Sequence, residues 1–583
     1  MSEINDNSGE NVNNLVPEEN KAPVLNETVT EIKEEKVTDP QEPEVKETEV
    51  VKQTTAEVQT EEKKAEIQNP AQNLNGDKPV DKPTEKPIDK TSDKSIDKPN
   101  GFKPKNDKQY GDKPAGKSHD NKHYQNKRER PKGDTIYSDA RSLAVKILTR
   151  VERTDSYLDK LIDYEIRNDQ LNDYDKSLLN EICHGVIRWM RRLDWFLNGF
   201  YRGNWEKCTP EIKNTLRVAL YQILFLNKIP DFAAVNEAVE FVKRFSTQKH
   251  ADVVNGLLRT IIRTKNDLVY PTREIDEVKY LGIMQSHPNW MIKRWIGRFG
   301  FDDAAVMAEA NNKRPILTLR VNTLKTNRDQ VLKKFEERSI VFRTCRYIDY
   351  FVTLRLMSKI YLDEDFKNGM YTVQDESAGL PAVLLSPKEN DVILDMCAAP
   401  GGKSTHIAQL IGNKGKIYAV DKYEAKMKMM KATAERLGIT NIEFIQDDSL
   451  DLQDERVKDL KFDKILLDAP CSGLGVLSKK PEIRWKRDIK DIIDLTELQK
   501  SLLNSAVKYL NTGGVIVYST CSTEQEENMG VVNDFLEKNP DFMIDNAAKY
   551  VKADLVNAEG CIETFPHKHG IDGSFAARLI RRT

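Results

Sequence analysis

ILLDAPCSG, residues 465 to 473, is an apolar run that stops abruptly at Asp468, Ala469, Pro470 and Cys471. A continuous apolar run bounded by a turn signal reads as a buried strand feeding a polar loop. In an open α/β sheet the ligand crevice lies beyond the carboxyl ends of the strands, so an acid and a thiol delivered there are candidates for chemistry. A core thiol beside a turn proline is the bland alternative, because free cysteine is among the most buried residue types.

Working outward, the pattern repeats. Apolar runs at 391–396, 416–421, 441–446, 462–468 and 513–520 alternate with helical stretches, the mark of a parallel sheet, and the closing FAARLI, 575–580, reads as an edge strand. The expected fold of this half is α/β and doubly wound. Its first strand runs into DMCAAPGGKSTHIAQL, Asp395 to Leu410. Gly401 and Gly402 after Pro400 make a tight turn of little bulk, which lets backbone amides approach a ligand before a helix starts near Lys403. The string is not G-x-G-x-x-G, and it lacks the earlier glycine of a P-loop, which argues against an NTPase. Lys403 itself is either a cation near the site or a solvated side chain. The second strand ends at Asp421, where a carboxylate can accept from both hydroxyls of a ribose, and the third at Asp447, Asp448 and Ser449, suited to an adenine edge. Together these features describe an adenosine-containing cofactor without separating a nicotinamide nucleotide from S-adenosylmethionine.

Two thiols decide between them. Cys471 ends the fourth strand and Cys521, in VYSTCS (517–522), ends the fifth, and neighbouring ends of a parallel sheet converge on one crevice. Hydride transfer needs no thiol. Alkylating C5 of a pyrimidine does, because that carbon is a poor nucleophile until a thiolate adds to C6. Cys183, Cys208, Cys345 and Cys561 read as structural. No C-x-x-C pair occurs among the seven cysteines, which weakens both a disulfide framework and a zinc site, and no metal is expected.

Upstream, residues 1–133 contain no Trp and are dominated by Pro, Glu, Asp, Lys, Asn and Thr, too polar to offset chain entropy by burial. Residues 1–66 carry 18 acids against 7 bases, and residues 67–133 carry 10 against 16. An acid-Lys pair recurs every four residues from Asp77 to Lys98, too short a period for a structural repeat. This is a solvated tail whose basic end, Lys122 to Lys132, either touches phosphates or only solubilises. The formal charge of −3 for the chain leaves +2 beyond the tail, so any RNA-binding surface has to be a local patch. No apolar stretch approaches a membrane span and no signal peptide is evident, so a cytoplasmic protein is expected.

Structure is expected from about Tyr137, with Ser138 capping the first of several helices whose apolar stripes fall at Leu143, Ala144, Ile147 and Leu148, at Leu179, Ile182 and Val186, at Leu216, Leu220 and Ile223, and at Val235, Ala238 and Val242. That is an all-α bundle over 134–268. A helical connector with Trp290 and Trp295 occupies 269–310, and a small α+β unit 311–373, where Asn327 caps a helix and Arg320 and Asn322 share one strand face.

The strings LLNEICHGVIRWMRRLD and LRVALYQILFLNKIPDFAAVNEAVEFVKR resemble the NusB-type RNA-binding domain, in which Arg188, Arg191 and Arg192 would meet phosphates, unless they form a solvated face. The α+β unit resembles the sheet module that precedes the catalytic domain of RNA cytosine methyltransferases. DMCAAPGGKS, DAPCSG, YSTCS and DGSFAARL resemble the Nol/Nop/Sun RNA cytosine-5 methyltransferases, and the NusB-like part extends the match to their bacterial small-subunit rRNA type, over 137–583. The resemblance implies a Rossmann-like class I methyltransferase domain over 374–583 that uses S-adenosylmethionine to methylate 16S rRNA at C5 of cytosine 967; apart from the resemblance, a monomer is expected. Transfer RNA as substrate, or an RNA-binding antitermination factor with an inert catalytic half, are the competing expectations. Cys397, Ala398, Ala399, Pro400, Gly401, Gly402, Lys403, Asp421, Asp448 and Asp468 would line the cofactor. Asp448 is preferred to Asp447 because the family's Gly-Asp pair aligns there. Cys521 would be the nucleophile, Cys471 would assist release, and Asp468 would also bond N3 or N4 of a flipped cytosine. The family's closing motif has two aromatics after Asp-Gly; here Ser574 precedes Phe575, which puts base stacking there in doubt.

Overall fold

The computed structural model describes residues 139–168, 171–355 and 360–582; the acidic-then-basic tail and its Lys-rich end lie outside the described residues. Six helices come first, α1 (Ala140–Arg153), α2 (Leu158–Asn168), α3 (Asp173–Phe200), α4 (Pro210–Phe225), α5 (Asp231–Phe245) and α6 (Gln248–Arg263), and the four apolar stripes meet in one core. The cap of α1 is Asp139, not Ser138. Its carboxylate accepts from the amides of Arg141 (2.9 Å) and Ser142 (3.0 Å), which places an anion at the positive end of the helix.

Three helices, α7 (Glu277–Met284), α8 (Asn289–Phe299) and α9 (Phe301–Ala310), form the connector, with Trp295 buried and Trp290 half-buried. Strands β1 (Leu317–Val321), β2 (Phe342–Thr344), β3 (Phe351–Leu354) and β4 (Tyr371–Val373) then make an antiparallel sheet in the order β2-β3-β1-β4. Helix α10 (Arg328–Glu337), capped by Asn327, packs on it through Val331 and Phe335, and α11 (Glu364–Lys367) precedes β4. Arg320 and Asn322 do share a face of β1, but that face is neither solvated nor an RNA surface. The Arg320 guanidinium donates to Gln374 Oε1, to Gly402 O (2.8 Å) and to Thr405 Oγ1 (3.0 Å). Asn322 Nδ2 donates to Gly369 O (2.8 Å) and Leu437 O (2.9 Å). The pair therefore satisfies backbone carbonyls of the catalytic half, including one at a helix C-terminus that lacks an intrahelical partner.

The catalytic half opens with α12 (Glu376–Leu385), followed by β5 (Val392–Met396), α13 (Gly402–Leu410), β6 (Lys416–Asp421), α14 (Glu424–Leu437), β7 (Ile442–Gln446), β8 (Phe462–Asp468), α15 (Ile483–Lys486), α16 (Ile489–Lys508), β9 (Leu510–Thr520), α17 (Met529–Lys538), β10 (Phe542–Ile544), β11 (Ile562–Thr564), α18 (Pro566–His569) and β12 (Ser574–Arg581). The five expected strands run parallel, β7-β6-β5-β8-β9, and the sheet continues through β12 to β10, both registers of β12 being antiparallel. FAARLI is therefore an interior strand, flanked by β9 on one side and by β10 and β11 on the other, and Phe575 to Leu579 are buried throughout. The run is apolar apart from Arg578, whose buried guanidinium donates to Asp545 Oδ2, Leu384 O and Leu385 O (2.9 Å each), so the strand is covered on both faces.

The segment after Cys471 is fastened to the connector through Arg484 and to the bundle through Trp485 and Arg188. Buried Arg484 donates to Ser286 O (3.1 Å), Asn311 O (3.2 Å) and Asn312 Oδ1 (2.8 Å), and Trp485 Nε1 donates to Ile187 O (2.8 Å). Arg188 Nη2 donates back to Ser478 O (2.9 Å). Arg191 caps His287 O and reaches Asn289 Oδ1 (2.7 Å), while Arg192 bonds Tyr270 Oη and lies over Trp189, Phe225 and Tyr270. The three arginines are thus structural donors and stacking partners rather than the expected phosphate contacts. Among the described residues no helix is long and apolar enough to cross a membrane.

Candidate active site

The carboxyl ends of β5 to β9 meet as the parallel register requires, and they bring the expected residues together. After β5 the chain turns through Cys397 at φ +60° and Gly401 at φ +92°, with a cis bond between Ala399 and Pro400. A Cβ on Gly401 would come within 3.0 Å of Met430 Cγ in a backbone region that side chains disfavour, so glycine is required. Ala398 N donates to Val420 O (2.8 Å), which ties the loop to β6. Gly401 is the N-cap of α13, whose first turn holds Lys403.

Asp421, at the end of β6, accepts from Ala399 N (3.2 Å) and Tyr423 N (3.0 Å), so the acid is braced by the glycine-rich loop itself. At the end of β7 the two neighbouring acids differ. Asp447 is consumed by the amides of Asp448, Gln453 and Asp454 (2.7 to 2.8 Å), whereas Asp448 is more exposed, meeting Lys422 Nζ (3.0 Å) and Leu450 N (3.1 Å).

Asp468, at the end of β8, accepts from Lys403 Nζ (2.6 Å) and from Ser519 Oγ on β9 (3.0 Å). Lys403 is not solvated: burial draws its ammonium down, but Asp468, Cys521 and Asp395 outweigh burial and hold it above its ordinary range. Cys471 and Cys521 face each other with Sγ to Sγ at 2.9 Å, and Cys521 N donates to Cys471 Sγ (3.3 Å). The hydrogen bond to Cys521, then burial, then the charges of Cys521 and Glu527 push the Cys471 thiol well up. Phe575 is a core residue against Tyr518, with no ring face open to a base.

Two carboxylates were not singled out from the sequence. Asp395 is fully buried; Ser404 Oγ donates to its Oδ2 (2.5 Å), and Oδ1 has no partner. Burial pushes it up to about 7 against the lowering bond from Ser404. Its signal is a single acid inside the apolar strand VILDM. Glu527 is also fully buried, and it accepts from Ser472 N (2.7 Å), Ser472 Oγ, Ser522 Oγ and Gln499 Nε2 (3.0 Å). Nothing in the polar string STEQEEN marks it. Cys183, Cys208 and Cys561 are buried, in keeping with structural roles.

The loop suits an adenosine-bearing, positively charged cofactor. It offers acids at three successive strand ends, an unpartnered carboxylate oxygen at Asp395, and a Cys397 thiol kept neutral by burial, which with the surrounding acids pushes it up to about 12.

Comparison with known proteins bears on these observations. The model of the 16S rRNA methyltransferase RsmB/F family matches residues 382–580, that of the NusB family residues 138–263, and that of the ferredoxin-like domain of RsmF/B-like methyltransferases residues 287–360. The chain is 34% identical over 452 residues to a probable ribosomal RNA small subunit methyltransferase B of Bacillus subtilis, covering 76% of this chain and 99% of that protein. It is 32% identical over 414 residues to the ribosomal RNA small subunit methyltransferase B of Escherichia coli K12, covering 71% and 92%. The crystal structure of PH0851 superimposes with a TM-score of 0.65 at 26% identity, covering 76% of this chain and 98% of that one.

Proposed function

From the premise that this chain belongs to the 16S rRNA methyltransferase RsmB/F family, we propose that it methylates C5 of a cytosine in 16S rRNA, cytosine 967, through a covalent bond from Cys521 to C6. The observation that carries this reading is the pair of thiols at adjacent strand ends, one of them beside the Lys403 ammonium.

S-adenosylmethionine, the methyl donor, supplies an electrophilic methyl group on a sulfonium. Cys397 to Lys403 would wrap it, Asp421 would take the ribose hydroxyls, Asp448 the adenine edge, and Asp468 would border the transferring group. The Cys521 thiolate would add to C6 as the electron pair of the C5–C6 double bond moves to C5, and that carbon would take the methyl, leaving S-adenosylhomocysteine behind. Lys403 would place a positive charge beside Cys521. Asp468, held by Lys403 and Ser519, is aimed to accept from N4 or, if it carries a proton, to donate to N3. Transfer of the C5 proton to solvent water returns its bonding pair to the ring as the C5–C6 double bond, the C6–S bond breaks, and Cys521 leaves as thiolate. Cys471, which retains its proton, acts at this release step. We read the enzyme as a cytoplasmic monomer without a resident metal. The NusB-like bundle favours rRNA over tRNA.

Bisulfite mapping of cytosine methylation in rRNA and tRNA, in cells with and without the protein, tests the proposal. Loss of one 16S rRNA site supports it. A lost tRNA site changes the substrate, and no lost site points to an inert catalytic half.

A further inference from the structure

Glu527 lies beneath both thiol loops without touching either sulfur by hydrogen bond. Its carboxylate takes the Ser472 amide (2.7 Å) and hydroxyl next to Cys471, and the Ser522 hydroxyl next to Cys521. Gln499 Nε2 donates both to Glu527 (3.0 Å) and to Pro470 O (2.8 Å), which extends the brace to the other side of Cys471. The segment carrying Glu527 is itself anchored: Tyr518 Oη donates to Glu527 O (2.5 Å), Thr520 Oγ1 to Asn528 Oδ1 (2.6 Å), and Asn528 Nδ2 to Ser522 O (3.1 Å). A fully buried carboxylate is costly unless its lone pairs are filled, and here the donors filling them come from the two loops whose spacing the chemistry needs.

We propose that Glu527 is a positioning residue that pins the Cys471 and Cys521 loops in mutual register, so that the release thiol stays against the nucleophilic thiol. This rests on the proposed cytosine-5 methylation. The brace is unequal: two of the four bonds to the carboxylate go to Ser472 and a third comes through Gln499 from Pro470, but only one goes to Ser522. Loosening it therefore disturbs the Cys471 loop more than the Cys521 loop, and release suffers before attack.

The test compares wild type, Glu527→Gln, Ser472→Ala and Ser522→Ala on an RNA substrate with S-adenosylmethionine, measuring single-turnover methylation, steady-state turnover, cofactor affinity and denaturation-resistant protein-RNA adduct. In Glu527→Gln, steady-state turnover is expected to fall about tenfold or more and the adduct to accumulate, while single-turnover methylation and cofactor affinity change by less than about threefold. Ser472→Ala is expected to repeat this pattern more weakly. Ser522→Ala should slow single-turnover methylation without raising the adduct. A folded Glu527→Gln with wild-type turnover and adduct overturns the proposal, as does a loss shared equally by cofactor binding and both rates. If Glu527→Gln does not fold, the two serine variants decide: identical behaviour of both overturns it. Failure of the underlying reading looks different, because wild type itself would then give neither methylation at C5 nor adduct.

Discussion

The two thiol loops sit at neighbouring strand ends, 50 residues apart in sequence and in contact in space, yet their surroundings are opposite. Cys521 lies within the field of Lys403, a cation that Asp468 holds in place. The Cys471 thiol is pushed well up by its hydrogen bond to Cys521 and by burial, with a smaller contribution from Glu527, whose carboxyl is held by the loop serines. The proposed division of roles, attack by Cys521 and release by Cys471, places the attacking thiol on the side of the cation and the release thiol on the side of the buried carboxyl.

The largest effect should come from removing the attacking side. Cys521→Ala is expected to lower methyl transfer by at least about three orders of magnitude, with cofactor affinity unchanged. Methylation at the normal rate would erase the distinction between the loops. Cys471→Ser tests the other side: turnover should fall by roughly two orders of magnitude while the RNA adduct accumulates, visible as a denaturation-resistant band. A folded variant that turns over slowly without any adduct would move Cys471 to an earlier step.

Lys403→Met should sharpen the electrostatic half of the comparison. Removing the cation should lower turnover by about ten- to a hundredfold, because Asp468 then loses the ammonium that holds it beside the thiols. A folded variant with wild-type turnover would mean that the Lys403–Asp468 pair is structural only.

The smallest effect on turnover is expected at Asp395, which belongs to neither thiol loop. Its carboxyl is raised to about 7, so between about pH 4 and 7 the folded state keeps a proton that the unfolded state releases, and stability falls as pH rises. Asp395→Asn should flatten that decline, on the order of a few kcal/mol, in denaturant titrations of the cofactor-free protein at pH 4.5 and 7. An unchanged slope would show that Asp395 is ionised throughout that range.

Much of the catalytic half was legible because it is written locally. The five parallel strands are apolar runs that end at or just before the candidate site residues, so the meeting of Cys471, Cys521, Asp421 and Asp468 follows from strand ends alone once the sheet is parallel. What could not be read locally depends on distant partners. Arg188, Arg191 and Arg192 look like an RNA-facing row, but their donors go to carbonyls, an amide oxygen and aromatic faces some 30 to 300 residues away. Arg320 and Asn322 have the right alternation, yet their face closes on helix ends of another unit. FAARLI was misplaced to an edge because β10 and β11 are three residues each, too short to show a period. Glu527 sits in a string that reads as a solvated turn, and only the convergence of Ser472 and Ser522 reveals it.

The division of roles between the thiols is tested most directly by trapping wild-type enzyme on RNA whose target is 5-fluorocytidine, where C5 has no proton to lose. Both cysteines are available in this experiment, and digestion followed by mass spectrometry identifies the one that carries the nucleotide. The nucleotide mass is predicted on the peptide containing Cys521, and the same mass on the peptide containing Cys471 would contradict the assignment.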